Sequence, residues 1–302
     1  APTEAARYAG VTVSKVLTGR PMDVDMFSFT ITGKDATAES GTTAATADEA
    51  SALLSDSDKS FSNTQRRASG IAEDMQKLSD VVFGAANANK TYAFDVAEVI
   101  PANDAKLPGV TYDDHVHELV ISVIDNLDGT ITVTTKIDGQ VVDDDNRKIL
   151  FENTYKAADA NFATADLGLT KVLEGVDAWR ENDHFTFVLE GVNGAPVPMG
   201  DDGTPSTKVT LGPDDVVDGV AKIDFGSIVY TQPGQYEYRV SEERGNAGGM
   251  SYSDNVAAFR VTVRDNTKTG ELETTVRLIS GDREFVNTYD SSIPTDQLVN
   301  PH

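Results

Sequence analysis

Three polar residue types stand at apolar positions of this sequence, and each does so twice. Side chains along a β-strand point alternately to opposite faces of a sheet. In LGLTKVLEG (167–175) the lysine therefore shares a face with three leucines. A glutamate and an asparagine lie among aromatic and aliphatic neighbours in the same way, in two later segments. The residues with this pattern are Lys15, Glu98 and Asn153 in the first half of the chain and Lys171, Glu242 and Asn287 in the second.

A lysine, a glutamate and an asparagine held together in a core could form an amide bond. Burial disfavours charge, so a desolvated lysine loses its proton more easily and a desolvated glutamate keeps its proton. A neutral amine is a nucleophile, and a protonated glutamate can donate a hydrogen bond to the asparagine carbonyl oxygen and polarise it. The glutamate can also carry a proton from the amine to the departing ammonia. The predicted product is a Lys–Asn isopeptide cross-link in each half of the chain.

Each of these positions also has a simpler interpretation. A lysine can bury its stem and keep its amine in water, a glutamate can form an ion pair with it, and an asparagine can cap a turn. A buried ion pair, however, is often no more stabilising than apolar packing. The recurrence of the same costly trio in both halves therefore favours chemistry over a purely structural role.

The segments that must position the trio are themselves duplicated. Four blocks recur in the same order, namely 14–33 with 170–191, 91–99 with 235–243, 109–126 with 249–266, and 151–155 with 285–289. Such a long repeat indicates tandem copies of one domain rather than a solenoid. The predicted organisation is a domain at 1–155, a linker at 156–166, a second domain at 167–290 and a tail at 291–302.

Alternation of apolar and polar residues dominates both copies and predicts many short β-strands. The strand candidates are FSFTI, TYAFDVAEV, ELVISVID and TITVTTKI in the first copy and FTFVLEG, QYEYRVSE, AFRVTVRD and ELETTVRL in the second. The segment DNLDGT (125–130) predicts a hairpin turn at Asp128-Gly129, and TQPGQY (231–236) predicts a further turn. This pattern is typical of an all-β fold made of two tandem β-sandwich domains.

The first copy carries an additional stretch at 34–90. Within it, TADEASALLSD (46–56) and GIAEDMQKLSD (70–80) have helical spacing and capping residues at their starts. We therefore predict two short surface helices inserted into the first sandwich.

Composition narrows the class of protein. The formal net charge of −24 repels nucleic acid and anionic membranes, so neither is an expected partner. The chain has no cysteine, which excludes disulfides, zinc–thiolate sites and thiol nucleophiles. An extracellular protein without disulfides needs another covalent constraint, and the predicted cross-links would supply one.

Several blocks resemble a known family. TKVLEG, FTFVLEG, FGSIVYTQPGQYEYRVSE and FVNTY resemble the isopeptide-linkage domains of Gram-positive pilins and surface adhesins, notably the streptococcal-type major pilins. SKVLTG, KTYAFDVAE and FENTY resemble the larger variant found in tandem-repeat adhesins. The resemblance covers nearly all of 8–290. It implies immunoglobulin-like (Cna B-type) sandwiches in which the first and last strands are neighbours.

The resemblance also implies a role for each member of the trio. By motif position, the nucleophiles are Lys15 and Lys171, the acceptors are Asn153 and Asn287, and the catalytic acids are Glu98 and Glu242. The protein would then not be an enzyme, because it would catalyse only its own cross-linking, once in each domain.

The implied function is structural, as a pilus shaft or adhesin stalk on the cell wall of a Gram-positive bacterium. The implied partners are neighbouring domains or subunits of the same fibre, with a sortase and a host or matrix ligand as further candidates. The sequence has no clean LPxTG-type sorting signal, for which IPTDQ (293–297) is a poor substitute. Lys156 is conveniently placed for a sortase, but nothing marks it out.

Other functions fit the sequence less well. An adhesin tip would use the 34–90 insertion to bind a ligand. A glycosidase is disfavoured because Glu98 and Glu242 lie in different domains and cannot form a catalytic pair. The histidines His115 and His117 are expected to be exposed and not catalytic. The acidic turns at 125–130 and 141–147 offer calcium-type ligands without EF-hand spacing, so the sequence predicts neither a cofactor nor a metal.

Overall fold

The computed structural model describes residues 4–292, and its contacts divide the chain into two units, residues 1–156 and 157–302. Each unit consists mostly of β-strands, and its two larger sheets enclose an apolar core. No helix in the described part of the chain is long and apolar enough to cross a membrane. The predicted all-β class and tandem sandwich architecture are confirmed.

The first unit begins with a short pairing strand and ends with the strand that carries the first asparagine. Its strands and helices are β1 (Ala6–Arg7), β2 (Val11–Thr18), β3 (Ser28–Lys34), β4 (Thr43–Ala44), α1 (Ala47–Ser51), α2 (Asp56–Lys59), β5 (Ser60–Ser62), β6 (Glu73–Lys77), β7 (Val82–Phe83), β8 (Lys90–Glu98), β9 (Val110–Thr111), β10 (Val116–Asp125), β11 (Ile131–Ile137), β12 (Gln140–Val142) and β13 (Lys148–Tyr155).

Two sheets form the sandwich of the first unit. The larger sheet has the order β12–β11–β10–β8–β3–β5, with β4 beside β8, and the smaller has the order β6–β2–β13–β9. Strands β2 and β13 run parallel, whereas their other neighbours in the smaller sheet are antiparallel. The ring of Phe151 on β13 meets that of Phe29 on β3, with centroids 5.3 Å apart. The sheets therefore pack face to face.

The second unit repeats this plan. Its strands are β14 (Ala160–Ala163), β15 (Thr170–Glu174), β16 (Phe185–Gly191), β17 (Lys208–Leu211), β18 (Val216–Val217), β19 (Val220–Lys222), β20 (Ser227–Tyr230), β21 (Gly234–Glu242), β22 (Met250–Ser251), β23 (Val256–Asn266), β24 (Glu271–Ser280) and β25 (Glu284–Tyr289). Short 3₁₀ turns lie in the second unit at Thr164–Leu167, Val192–Gly194 and Pro213–Asp215, and in the first unit at Ala85–Asn87 and Asn103–Ala105.

The sheets of the second unit have the orders β18–β19–β15–β25–β22 and β17–β16–β21–β23–β24, and β14 pairs separately with β20. Strands β15 and β25 are parallel, as β2 and β13 are in the first unit. The rings of Phe187 and Phe285 meet between the sheets with centroids 5.3 Å apart. In both units the lysine strand and the asparagine strand are therefore direct neighbours, as the family resemblance implies.

The predicted strands and turns agree with the structure. Each strand candidate corresponds to one of β3, β8, β10, β11, β16, β21, β23 and β24. The hairpin at 125–130 joins β10 to β11, with Leu127 and Gly129 at positive φ. Period-two alternation was a sufficient signal here because each of these strands buries one face.

One of the two predicted helices is wrong. Residues 70–80 contain strand β6, which pairs antiparallel with β2 from Val11 to Lys15. The spacing of apolar residues fits a helix, but Glu73 and Met75 also alternate inward along a strand, and both are buried. Pairing with the edge of β2 overrides the local propensity.

The other predicted helix exists but is shorter than 46–56. It spans Ala47–Ser51, where Thr46 and Glu49 form a capping box, and a second short helix begins at Asp56. The 34–90 stretch is thus not a surface addition. Its strands β5 and β6 extend the larger and the smaller sheet respectively.

The structure also differs from the prediction at 156–166, which was expected to be a linker. This segment contains β14, which pairs with β20, and Ala160 and Phe162 on it are buried. Its alternation spans only four residues, too few to distinguish a strand from a loop by sequence. Of the predicted tail, residues 293–302 lie outside the described part of the chain, and IPTDQ lies there as well.

A glycine ends each lysine strand because the final strand passes against it. Gly19 has a φ of 101° and Gly175 a φ of 81°. A Cβ atom at either glycine would lie 2.1 Å from a backbone carbonyl oxygen, that of Tyr155 or Tyr289 respectively. The close approach of the strand ends therefore explains the glycine of KVLTG and KVLEG.

We predict that Gly19→Ala destabilises the first unit more than Gly129→Ala does. Both glycines have positive φ, but Gly129 has no atom within 4 Å of a Cβ position, so its variant isolates the backbone strain. The added clash at Gly19 should lower the free energy of unfolding by about 1–3 kcal/mol more, measured by chemical denaturation. Equal losses in the two variants would show that the strand ends separate easily.

Candidate functional site

The parallel strand pairs set the spacing of lysine and asparagine. In the first unit Lys15 is in register with Phe151, and Asn153 is two residues further along the same strand. Residues two apart in a strand share a face, so the asparagine lies beside the lysine on the inner face of the smaller sheet. In the second unit Lys171 is in register with Phe285, and Asn287 again follows two residues later.

The glutamate reaches both partners from the opposite sheet. Glu98 ends β8, and its two carboxyl oxygens contact different residues of the smaller sheet. Oε2 lies 2.6 Å from the Nζ atom of Lys15, and Oε1 accepts a 2.6 Å hydrogen bond from Nδ2 of Asn153. The predicted trio of the first unit is therefore assembled across the sandwich.

The second trio has the same geometry. Glu242 ends β21, and its Oε2 lies 2.8 Å from Nζ of Lys171. Its Oε1 accepts a 2.6 Å hydrogen bond from Nδ2 of Asn287. The structure brings together all six residues that the sequence singled out, three in each unit.

Water is excluded from the first trio, and this shifts both pKa values towards a neutral pair. Lys15 and Asn153 have no exposed surface, and neither has the side chain of Glu98. Desolvation lowers the pKa of Lys15, although attraction to Glu98 opposes the shift. Desolvation likewise raises the pKa of Glu98, against the attraction of Lys15. A neutral amine beside a protonated acid is the pair that nucleophilic attack requires.

The second trio shows the same effect on its lysine. Lys171 is fully buried, and desolvation lowers its pKa to about 8 even though Glu242 opposes the shift. A substantial fraction of an amine with this pKa is neutral at physiological pH. Burial therefore favours the neutral amine in the second lysine as well.

Aromatic rings cover each amine, a feature that sequence reasoning missed. The ring centroid of Phe27 lies 4.5 Å from Nζ of Lys15, and that of Phe185 lies 4.7 Å from Nζ of Lys171. Both phenylalanines occupy the first position of an F-x-F pair, in FSF and FTF. Recurrence of this pair at the same place in both copies was the available signal.

The asparagine carbonyl is held differently from the predicted arrangement. We expected the glutamate to donate to this oxygen, but the structure directs the amide nitrogen at the glutamate instead. The Oδ1 atom of Asn153 accepts a 2.7 Å hydrogen bond from the backbone N–H of Asp113, and Oδ1 of Asn287 accepts one of the same length from Ser253. A backbone donor aimed at the carbonyl can stabilise negative charge that develops on its oxygen during attack.

A short local turn fixes each of these backbone donors. Asp113 accepts hydrogen bonds from the backbone N–H groups of His115 and Glu152, at 3.0 and 2.9 Å. The hydroxyl of Ser253 accepts one from the N–H of Asn255 at 3.2 Å. The signal in the sequence was the repeated Y-D-D and Y-S-D of the third block, which reads as an ordinary turn without the structure.

Comparison with known proteins agrees with this geometry. The model of the family FctA, the Spy0128-like isopeptide containing domain, matches residues 11–156 and again residues 167–290. The chain belongs to this family. Because both matches contain a complete trio, each sandwich is one copy of the family's domain.

Several solved structures are similar to the chain at low sequence identity. The major pilin of Streptococcus pyogenes is 15% identical, with 94% of this chain and 99% of that chain covered and a TM-score of 0.34. A second major pilin of that species is 16% identical, with 95% and 100% covered and a TM-score of 0.29. The SpaE basal pilin of Lactobacillus rhamnosus GG is 12% identical, with 93% and 100% covered and a TM-score of 0.23. No curated protein matches the sequence.

Family membership assigns a structural role rather than an enzymatic one. The family is one of pilin structural proteins, which are displayed outside Gram-positive cells and associate with other pilus subunits. The formal net charge of −24 and the absence of cysteine are compatible with that setting.

We predict that Asn287→Ala, which removes the acceptor, leaves a lysine whose titration is visible in the stability of the second unit. Between about pH 8 and 10.5 Lys171 is neutral when folded but protonated when unfolded. The unfolded state then binds more protons, so the free energy of unfolding rises with pH across this window, by roughly 3 kcal/mol in total.

The measurement is urea unfolding of this variant, followed by fluorescence of Trp179, the single tryptophan, at several pH values. The matched control is the double variant Lys171→Met, Asn287→Ala, in which the rise should be absent. The same pH dependence in both variants would show that Lys171 keeps an ordinary pKa.

Proposed function

We propose that this protein is a structural segment of a pilus shaft or adhesin stalk whose two domains are each locked by an intramolecular Lys–Asn isopeptide bond. The observation that carries the proposal is the buried glutamate that contacts both the amine and the amide in each unit. The bonds join Lys15 to Asn153 and Lys171 to Asn287.

The chemistry is an amide exchange without external reagents. The neutral lysine Nζ attacks Cγ of the asparagine, and the carbonyl oxygen takes up negative charge under the backbone donor of Asp113 or Ser253. The glutamate accepts a proton from Nζ through Oε2 and delivers a proton to Nδ2 through Oε1. The Cγ–Nδ2 bond then breaks, ammonia leaves, and a Cγ–Nζ amide remains.

The fold accounts for why this reaction occurs without a cofactor. The amine, the acid and the amide are brought together from strands that are distant in sequence. The resulting high effective molarity can lower the activation barrier substantially. A water-free pocket strengthens the interactions between the three groups. The reaction runs once per domain, so the glutamates Glu98 and Glu242 act as single-turnover catalysts.

The first test is the intact mass of the denatured chain. Two bonds predict a deficit of about 34 Da from the sequence mass, because each releases one ammonia of about 17 Da. Glu98→Ala and Glu242→Ala should each remove half of the deficit. Peptide mapping should detect a cross-linked peptide that contains Lys15 and Asn153 only when Glu98 is present. A wild-type mass equal to the sequence mass would show that no bond forms and that the trios are only buried polar networks.

Glu73→Gln is the matched control for these variants. Glu73 is also a buried glutamate of the first unit, and its backbone pairs with Lys15, but its carboxylate accepts hydrogen bonds from Thr64 and Gln65 rather than from any of the three trio residues. The full deficit should persist in this variant. A smaller mass deficit in Glu73→Gln would mean that any perturbation of the core prevents the reaction.

The position of the bonds suits a load-bearing fibre. Once the two-residue strand β1 is pulled away from β7, force on the ends of the first unit enters at β2 and leaves at β13, and these strands are parallel neighbours. A covalent bond from Lys15 to Asn153 would carry the load between them directly, so the chain between these residues need not unfold. A loop of more than 100 residues closed in this way also stabilises the fold by on the order of 5 kcal/mol.

Single-molecule stretching between the chain termini should reveal this load path. The wild-type chain should gain little length before it ruptures or detaches, because only segments outside the two cross-linked loops, such as β14, can extend. Glu98→Ala should add one unfolding step on the order of 500 Å, the extended length of the chain between Lys15 and Asn153 at roughly 3.5 Å per residue. A wild-type trace that already contains this step would contradict a load-bearing bond.

The cell-wall attachment and the wider partners belong to the same proposal. We infer that a sortase joins this segment to neighbouring subunits and to the wall, in keeping with its family. A ligand-binding tip has less support, because the 34–90 stretch contributes strands to both sheets instead of forming a separate binding face.

A further inference from the structure

A cluster of metal-binding side chains lies at one corner of the first unit and includes no member of the trio. It is the one group of at least three such ligands found among residues 4–292, and it consists of His115, His117 and Asp138. One ligand atom from each residue lies within 4.8 Å of the others. Oδ2 of Asp138 is 2.7 Å from Nδ1 of His117 and 3.7 Å from Nε2 of His115.

The backbone holds the carboxylate in place. Asp138 occupies the tight turn between β11 and β12, with a φ of 50°. Its Oδ1 accepts a 2.9 Å hydrogen bond from the N–H of Glu118, and its own N–H donates to the carbonyl of Glu118 at 2.9 Å. Oδ2 is thereby directed at the two imidazoles. Orientation of a ligand carboxylate by a second hydrogen bond is typical of metal sites.

His117 is the second residue of β10, and His115 lies two positions earlier, just before the strand begins. Their rings lie 4.2 Å apart between centroids. The ring of His117 packs against buried Phe151 at 5.1 Å, and its Nε2 is buried without a hydrogen-bond partner. The polar contact of this ring is therefore made through Nδ1, which faces the carboxylate of Asp138. The expectation that both histidines are exposed is wrong for His117, whose side chain is only 15% exposed.

The distances suit a small tetrahedral cation after a slight opening of the cluster. Zinc lies about 2.0–2.2 Å from nitrogen and oxygen ligands, which separates neighbouring ligand atoms by about 3.3 Å. The 3.7 Å separation from His115 is close to that value. The 2.7 Å contact with His117 would open by a few tenths of an ångström when the cation enters between the two ligand atoms.

We propose that His115, His117 and Asp138 bind one zinc ion, with water as the fourth ligand. Imidazole and carboxylate together favour zinc and neighbouring transition metals, whereas calcium prefers oxygen ligands alone. His115 is 58% exposed and leaves the site open to solvent. The formal charge of −24 would further favour a cation.

The second unit offers a natural comparison because its equivalent corner lacks the ligands. In the aligned block, Asn255 stands where the first unit has His115, and Ala257 stands where it has His117. The side-chain amide of Asn255 donates to the carbonyl of Asp282 at 2.7 Å, so a direct hydrogen bond closes this corner. In the first unit Asp138 already closes this corner by hydrogen bonds with Glu118, and zinc would tie the two histidines to it.

The site would also brace the turn that serves the trio. The backbone N–H of His115 donates to Asp113, and the N–H of Asp113 donates to the carbonyl of Asn153. Zinc held by His115 would therefore stiffen the segment that positions this donor. Zinc binding itself does not require the cross-link, so it can be measured whether or not the bond forms.

The test is calorimetric titration of the full chain with zinc, after treatment with a chelator. We expect one site per chain. His115→Ala and Asp138→Asn should weaken it by at least about 10–100-fold, a loss that even outer-shell partners can cause. Both changes are suited to preserving the fold, since His115 is exposed and asparagine is also tolerated at positive φ. Circular dichroism verifies that they do.

His184→Ala is the matched control, because His184 is an exposed histidine of the second unit outside the cluster. Zinc affinity should be unchanged in this variant. Cobalt should give the visible spectrum of a tetrahedral site in the wild type and in His184→Ala, but not in His115→Ala or Asp138→Asn. Absence of binding by the wild type would overturn the proposal. Unchanged binding by His115→Ala and Asp138→Asn would overturn it equally.

Discussion

The cost of burying a lysine and a glutamate together is the constraint on which the rest of this structure depends. A charged amine without access to water is unfavourable, and the protein reduces this cost by shifting Lys15 and Glu98 towards their neutral forms. Neutralisation is also what makes the amine reactive. The same desolvation that would weaken an ordinary core therefore prepares the proposed reaction, and aromatic rings and close-packed sheets maintain it.

Parallel pairing of the first and last long strands serves both chemistry and mechanics. It places asparagine two residues beyond the register partner of lysine on one inner face, while glutamate arrives from the other sheet. It also puts the proposed bond between the strands at which force enters and leaves. The glycine at the end of each lysine strand belongs to this arrangement, because only a residue without Cβ permits the close approach.

The two copies keep the trio and vary what surrounds it. The first unit builds its 34–90 stretch into both sheets and carries the histidine–aspartate cluster at one corner. The second unit closes the same corner with the amide of Asn255 and adds β14 at its beginning. Both retain a backbone donor on the asparagine carbonyl, in Asp113 and Ser253. The conserved geometry is therefore that of the reacting groups, while the corners differ.

Strand alternation and internal repetition were enough to determine the fold class, the two copies and all six members of the trios, because a polar residue in phase with a buried face is visible without coordinates. Local patterns failed where pairing with a distant strand decided the outcome: residues 70–80 became β6 beside β2, and β14 formed against β20. The backbone donors to Asn153 and Asn287 were likewise hidden, because every residue except proline has an N–H and only tertiary contacts aim it. Asp138 meets His115 and His117 only after β11 folds back along β10, so that cluster too was decided by the tertiary structure.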